Sequence, residues 1–390
     1  MPWQDDTAWD DAIEGSPEIA VGGTRTDDGR RSTEFLHRPG QLLCDTGVWT
    51  NPRDPDEEGL RARLDAVGAA ETRGEPRLPR DDQRAEAADR LGLTLLNVPG
   101  DELPELVRAG RQVVPDAFAF NHVVIANPQR FGGCAPPQRL DHASVQIGGV
   151  VPQQGARTVA VLDTGIVENA PFAVHPDSDV EPAGAGGPAA GHGTMVAGVV
   201  ARYAPAASVL VKRVLNLPLG DADELEIAAA LAALPEVDIV NASFGGPAAE
   251  DMRMVALERA LDALPPATLV VASAGNEGLT RPEYTAAFKR VLGVASAGDV
   301  EGDLAVFPYS NRGRWVDLST QGTDVETVAG ADDPVLASGS SFAAPKIAAR
   351  VLEIAERDGV GVRHAASWLM HESGGPAIAG GGTFVDMPTP

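Results

Sequence analysis

The chain has 390 residues, 43% of them hydrophobic, and carries 31 basic against 56 acidic side chains for a net charge of −25. That length supports one large core plus a smaller domain, and the acidity argues against a nucleic-acid footprint. No apolar run approaches the ~20 residues that span a bilayer, and MPWQDDTAWDDAIEG at the start lacks the basic and apolar regions of a secretory signal, so a cytoplasmic protein without membrane partners is expected.

Residues 1–35 are acidic and poor in apolar periodicity and read as a flexible arm. Over 36–127 a small α+β domain is expected. Gln41–Cys44 reads as a strand, Leu60–Ala69 as a short helix weakened by Gly68, and Asp82–Leu91 as a second helix. Leu93–Val98 reads as a strand, Asp101–Pro104 opens another helix, and Phe118–Ala126 is an extended apolar segment. Residues 128–157, rich in Pro, Gly and Gln, form a linker. Cys44 and Cys134 are the two cysteines; a disulfide is open to them, but they make neither a disulfide framework nor a metal pattern.

From 158 to 372 the rhythm changes. Strands are expected at Thr158–Leu162, Ser208–Val214, Val237–Phe244, Leu269–Ala274 and Arg290–Ala297. Helices are expected at Gly193–Arg202, Asp221–Leu234, Asp251–Leu264, Ser341–Arg357 and Val362–His371. Such alternation predicts an α/β domain with a largely parallel sheet covered by helices on both faces. Residues 373–390 read as a Gly/Pro-rich tail.

Three segments concentrate chemistry. In VAVLDTG (159–165) Asp163 ends a buried strand, the edge where ligands gather in open α/β sheets. In GHGTMVAG (191–198) His192 stands between glycines at a helix start, and in GSSFAAP (339–345) a serine pair follows a glycine at a helix start. Alone, each has a plainer explanation: a turn Asp, a core His, a helix-capping Ser. Together they supply a nucleophile, a base and an orienting acid, in the order Asp163, His192, Ser341. That order differs from the one an α/β-hydrolase esterase requires, and the serine segment lacks the second Gly of a G-x-S-x-G elbow.

These motifs resemble those of the subtilase family of serine peptidases. The third departs from the usual Thr-Ser-Met, having Ser340, Ser341 and Phe342; register selects Ser341, and Lys346 stands where a His is common. The likeness covers about 157–372. It implies a subtilisin-like fold and peptide-bond hydrolysis, with peptide or protein substrates. It further implies that Ser243, Phe244 and Gly245 pair with the substrate backbone and that Asn276 in SAGNEG donates to the oxyanion. The pocket beside them would be shaped partly by the 279–288 loop, which carries Arg281 and Glu283. No cofactor is implied. Calcium at Asp299–Asp303 is open, with a solvated turn the plainer reading.

The 36–127 outline resembles a subtilase propeptide, which implies that this domain binds the catalytic domain in cis, its last extended segment and the linker running through the groove. Removal by self-cleavage between Ala126 and Arg157 and retention as a recognition domain both stay open. The expectation is an intracellular processing endopeptidase with restricted substrates, against the alternative of a catalytically silent peptide binder. His175, Asp177, His364 and His371 read as surface or structural residues, and Glu224, Glu226 and Glu236 as a solvated helical face and its end.

Overall fold

The computed structural model describes residues 13, 15–23, 35–72, 81–115, 118–126, 137–140, 147, 155–249, 252–330 and 333–388. The main sheet is mostly parallel. Thr158–Asp163 lies between Ser208–Arg213 and Ile239–Ala242, and the order continues through Leu269–Ser273, Val291–Val300 and Leu318–Thr320. Side chains alternate across a strand, so this sheet builds two cores. Val159, Val161, Val209 and Val211 face the helices His192–Tyr203 and Ser340–Asp358. Ala160, Leu162, Leu210 and Val240 face Glu224–Ala232 and Val255–Ala263. Each fully buried Val or Leu contributes roughly 1.5–3 kcal/mol.

The tail expected from 373 onward instead joins this sheet. Gly382–Phe384 pairs with Leu318–Ser319, and Ala377–Ile378 folds back on it as the edge. The arm is also partly ordered: Ala20–Gly22 pairs with Phe35–His37, and Ile13 and Ile19 are buried. Both were missed because segments this short show no period until a neighbour completes them.

The N-terminal domain is an antiparallel sheet in which Phe35–Asp45 lies between Leu93–Asn97 and Phe118–Ala126. One face carries the helices Pro55–Ala66 and Leu103–Val113. The first of these starts five residues before the expected Leu60, because Asp54 caps it and Pro55 opens it; it stops ahead of Gly68, at φ +76°. Cys44 is buried in this core, and burial pushes its thiol up to about 12; Cys134 lies outside the described residues.

The two domains share a sheet. Val123–Ile125 pairs antiparallel with Asp221–Asp223, and Ile125–Ala126 with Phe244–Gly245. The helix expected over Asp221–Leu234 therefore begins only at Glu224, its first three residues being drawn into pairing and Asp223 becoming the cap of a capping box. Likewise the helix expected from Asp251 begins at Val255.

Charge seals this junction. Arg38 Nε donates to Asp223 at 2.9 Å, and its NH2 to Asp221 and Glu226 at 3.1 and 3.0 Å. Arg84 Nε donates to Asp223 at 2.6 Å. Both arginines are only 2% exposed. Burial alone would raise the Asp223 carboxyl; Arg84 and Arg38 outweigh it and hold Asp223 below the ordinary range. Next to this cluster, Glu224 accepts from the His122 backbone and faces His122 Nδ1 at 3.0 Å, both side chains wholly buried. Glu224 and Glu226 thus do not form the solvated face expected of them. A lone helix reads their spacing as exposed, but a second domain covers it.

Two outcomes follow from this packing. Arg38→Ala removes a cation shared by three carboxylates and leaves Asp221 without one among the described residues, while Arg84 still meets Asp223 and Glu226; it is expected to cost about 3–5 kcal/mol in urea unfolding, with earlier proteolysis of the N-terminal domain; a loss under ~1 kcal/mol would remove the cluster as the seal. His37, packed on Phe35 and Phe120 near His122, is lowered by burial from 6.5 to about 4. The unfolded chain then binds the extra proton first, so His37 contributes fully above pH 6.5 and the contribution is lost as pH falls from 6.5 to 4. The loss is roughly 3 kcal/mol, and stability-versus-pH curves of His37→Phe should lack that part of the slope.

Candidate active site

Asp163 ends its strand wholly buried. Its backbone carbonyl accepts from Val214 and Leu215, and its carboxylate accepts from Thr164 N at 2.8 Å. The remaining demand of that carboxylate is met by His192, whose Nδ1 lies 2.8 and 3.0 Å from the two oxygens. Nδ1 therefore carries the proton and donates, which leaves Nε2 with its lone pair. The approach depends on Gly193: a Cβ there would sit 3.1 Å from Gly165 N and 3.2 Å from Asp163 Cβ. Nε2 is buried and makes no hydrogen bond among the described residues.

Ser340 and Ser341 open a 19-residue helix. Their neighbours separate them. Ser340 is committed to the adjacent loop: its Oγ accepts from Gly275 N at 3.0 Å and donates to Asn276 Oδ1 at 3.0 Å. Ser341 Oγ instead faces the Ser243 carbonyl at a long 3.4 Å, while Ser243 Oγ donates to the Ser341 carbonyl at 2.9 Å. Phe342, the departure from the usual Met, packs its ring 5.8 Å from the His192 ring. The helix N-terminus also favours negative charge at Ser341.

Asn276 accepts from Ser340 N at 2.8 Å through Oδ1, so its donor end is Nδ2. A Cβ on Gly339 would lie 3.1 Å from Nδ2, which places that donor beside the turn into the serine helix. Phe244 and Gly245 are paired with Ala126 and Ile125, and Ala126 N donates to Gly220 O at 2.7 Å. An extended backbone thus already lies along the strip expected to take a peptide; residues 127–136 of the linker lie outside the described residues.

The residues set aside above sit apart from this site. His364 and His371 are exposed, and His175 and Asp177 lie on a surface loop where His175 Nδ1 accepts from Asp177 N. Asp299 accepts from Gly302 N in a hairpin turn. Lys346 is buried behind the site, with Nζ donating to Gln321 O, and burial lowers it to about 8.

A family model described as the subtilase family matches residues 155–378. The chain belongs to the subtilase family. It is 27% identical over 269 residues to thermitase of Thermoactinomyces vulgaris, covering 64% of this chain and 90% of that one. It is 28% identical over 262 residues to a thermophilic serine proteinase of Bacillus sp. (strain AK1), and the match spans 60% of each chain. Fervidolysin from Fervidobacterium pennivorans, a keratinolytic enzyme related to subtilisin, shares the fold at a TM-score of 0.56 and 16% identity, over 97% of this chain and 65% of that one.

This subtilase also uses a residue that sequence reasoning passed over. Glu181 is 7% exposed and accepts from Gly191 N at 3.1 and 3.0 Å and from Thr164 Oγ1 at 3.0 Å. Thr164 Oγ1 in turn accepts from Gly193 N at 3.0 Å. The carboxyl thus ties the Asp163 turn to the turn that launches His192, and burial raises it above the usual carboxylate range. Glu181 lies in a Pro/Gly-rich loop (EPAGAGGP) that offers no periodicity to flag it. Glu181→Ala should cost about 2–4 kcal/mol, since two buried donors lose their acceptor, and Glu181→Gln should recover at least half of that in thermal unfolding. Equal melting of all three proteins would show that the tie is dispensable.

Proposed function

We propose that this subtilase hydrolyses peptide bonds of peptide or protein substrates with Ser341 as nucleophile, His192 as general base and Asp163 as the acid that orients it. The observation that carries the reading is the buried Asp163–His192 bond at the strand end, with Nε2 left as a base. For attack, the Ser341 hydroxyl rotates from the Ser243 carbonyl toward Nε2 and gives up its proton there. Asp163 stabilises the imidazolium, and the same proton then passes to the leaving amine. The Asn276 amide and the Ser341 N–H receive the charge that develops on the carbonyl oxygen. Ser243, Phe244 and Gly245 hold the substrate backbone.

In this reading the N-terminal domain binds the catalytic domain in cis and restricts access. Support comes from the pairing of Ile125–Ala126 with Phe244–Gly245 and from the buried Arg38 and Arg84 that seal the junction. A substrate gains the strip only when this strand leaves it, which gives the restricted substrate range a physical basis.

A small fluorophosphonate should label the wild-type chain and not Ser341→Ala, because it needs an activated serine but little of the groove. Asn276→Ala should lower kcat by about 10²–10³-fold with little change in KM, the size expected for one oxyanion donor. Peptide binding without labelling or turnover would favour the catalytically silent binder instead.

A further inference from the structure

Behind the start of the serine helix lies a buried ammonium that the mechanism does not use. Lys346 follows Pro345 in the second turn of that helix and is 4% exposed. Its Nζ donates to the Gln321 carbonyl at 2.8 Å and stands 5.0 Å over the Tyr203 ring. Among the described residues no carboxylate forms an ion pair with it. Arg202, beside Tyr203, is paired with Glu326 at 2.7 Å, and Arg350 on the same helix with Glu353. Asp386 acts on Lys346 only from beyond ion-pair distance. A carbonyl and a ring face therefore hold the ammonium, and burial, reinforced by the Arg202 charge, lowers it to about 8.

Gln321 follows the strand Leu318–Thr320 and opens a turn that supports the entry to the serine helix. The next carbonyl, Gly322 O, accepts from Gly339 N at 2.8 Å, and Asp324 N donates to Ser338 Oγ at 2.9 Å. The fit at Gly322 is close: a Cβ there would come 2.6 Å from Ser296 Oγ, 2.7 Å from Gly339 O and 3.0 Å from Ala343 Cβ. This turn thus touches both the first turn of the helix and Gly339, the residue beside Asn276 Nδ2. We propose that Lys346 is a positioning residue that clamps the serine helix to the Gln321–Gly322 turn and so fixes the Ser341 N–H relative to the Asn276 amide. Ser341 and Lys346 lie on one rigid helix, so a bond at Nζ resists sliding of the helix along its axis. A shift of reacting groups by about 1 Å costs on the order of 10²-fold in rate. The clamp depends on charge. An ammonium bonds a carbonyl roughly twice as strongly as a neutral amine does, so the hold weakens as pH rises through about 8.

This inference rests on the peptidase reading above, and one experiment separates the two. The second-order rate constant for fluorophosphonate labelling of the full chain is measured on both sides of pH 8 for the wild type, Lys346→Met and Lys346→Arg. Thermal unfolding reports that each is folded. At neutral pH, Lys346→Met should label about 10- to 100-fold more slowly than the wild type. The wild-type rate should fall severalfold as pH rises through about 8, and Lys346→Met should lack that fall. Lys346→Arg, which stays charged, should recover most of the rate and hold it into alkaline pH. A residue that only stabilises the fold would not move the pH profile. A wild-type rate that stays level through pH 8, a fall that persists unchanged in Lys346→Met, or equal rates for the two would overturn the role of Lys346 and leave the peptidase reading intact. A wild-type chain that labels at no pH would overturn both. If a variant melts below the labelling temperature, the wild-type profile decides, a fall supporting the clamp and a level rate overturning it.

Discussion

A carboxylate without water must be met by donors, and the burial of Asp163 sets the arrangement of everything near it. The Thr164 N–H and the His192 ring meet its charge. The ring can do so only if its helix starts hard against the strand end, and that requires glycine at 193. The turn before the helix is held by a second buried acid, Glu181, through Gly191 N and Thr164. One desolvated charge thus determines which nitrogen of His192 carries the proton and which keeps its lone pair.

The second constraint is an open sheet edge. Phe244–Gly245 and Asp221–Asp223 present backbone donors and acceptors that need partners. The N-terminal domain supplies them with a single strand, Phe118–Ala126, that pairs with both. Backbone pairing of this kind carries little sequence information, so the closure gains its specificity from charge: Arg38 and Arg84 against Asp221, Asp223 and Glu226.

Most of the residues proposed for the reaction were legible in the sequence, because they stand at strand and helix ends where glycines and small residues punctuate a strong period. Asp163 after VAVL, His192 between Gly191 and Gly193, and Ser341 after Gly339 are local signals. The choice of Ser341 over Ser340 came from motif register, and the hydrogen bonds of Ser340 to Gly275 and Asn276 now supply the physical difference between them. Glu181 was not legible, since nothing in a Pro/Gly-rich loop states which carboxylate turns inward.

The sequence by itself determined the α/β alternation, the parallel sheet and the positions of Asp163, His192 and Ser341 at strand and helix ends, because periodicity and helix-end chemistry act over a few residues. Only the tertiary structure decided that Glu224 and Glu226 are covered and that Asp221–Asp223 forms a strand. It alone placed residues 377–384 in the main sheet and the Lys346 ammonium on the Gln321 carbonyl. Each of these depends on which distant surface removes water from a residue, and a contact between residues 183 to 188 positions apart leaves no trace in local spacing.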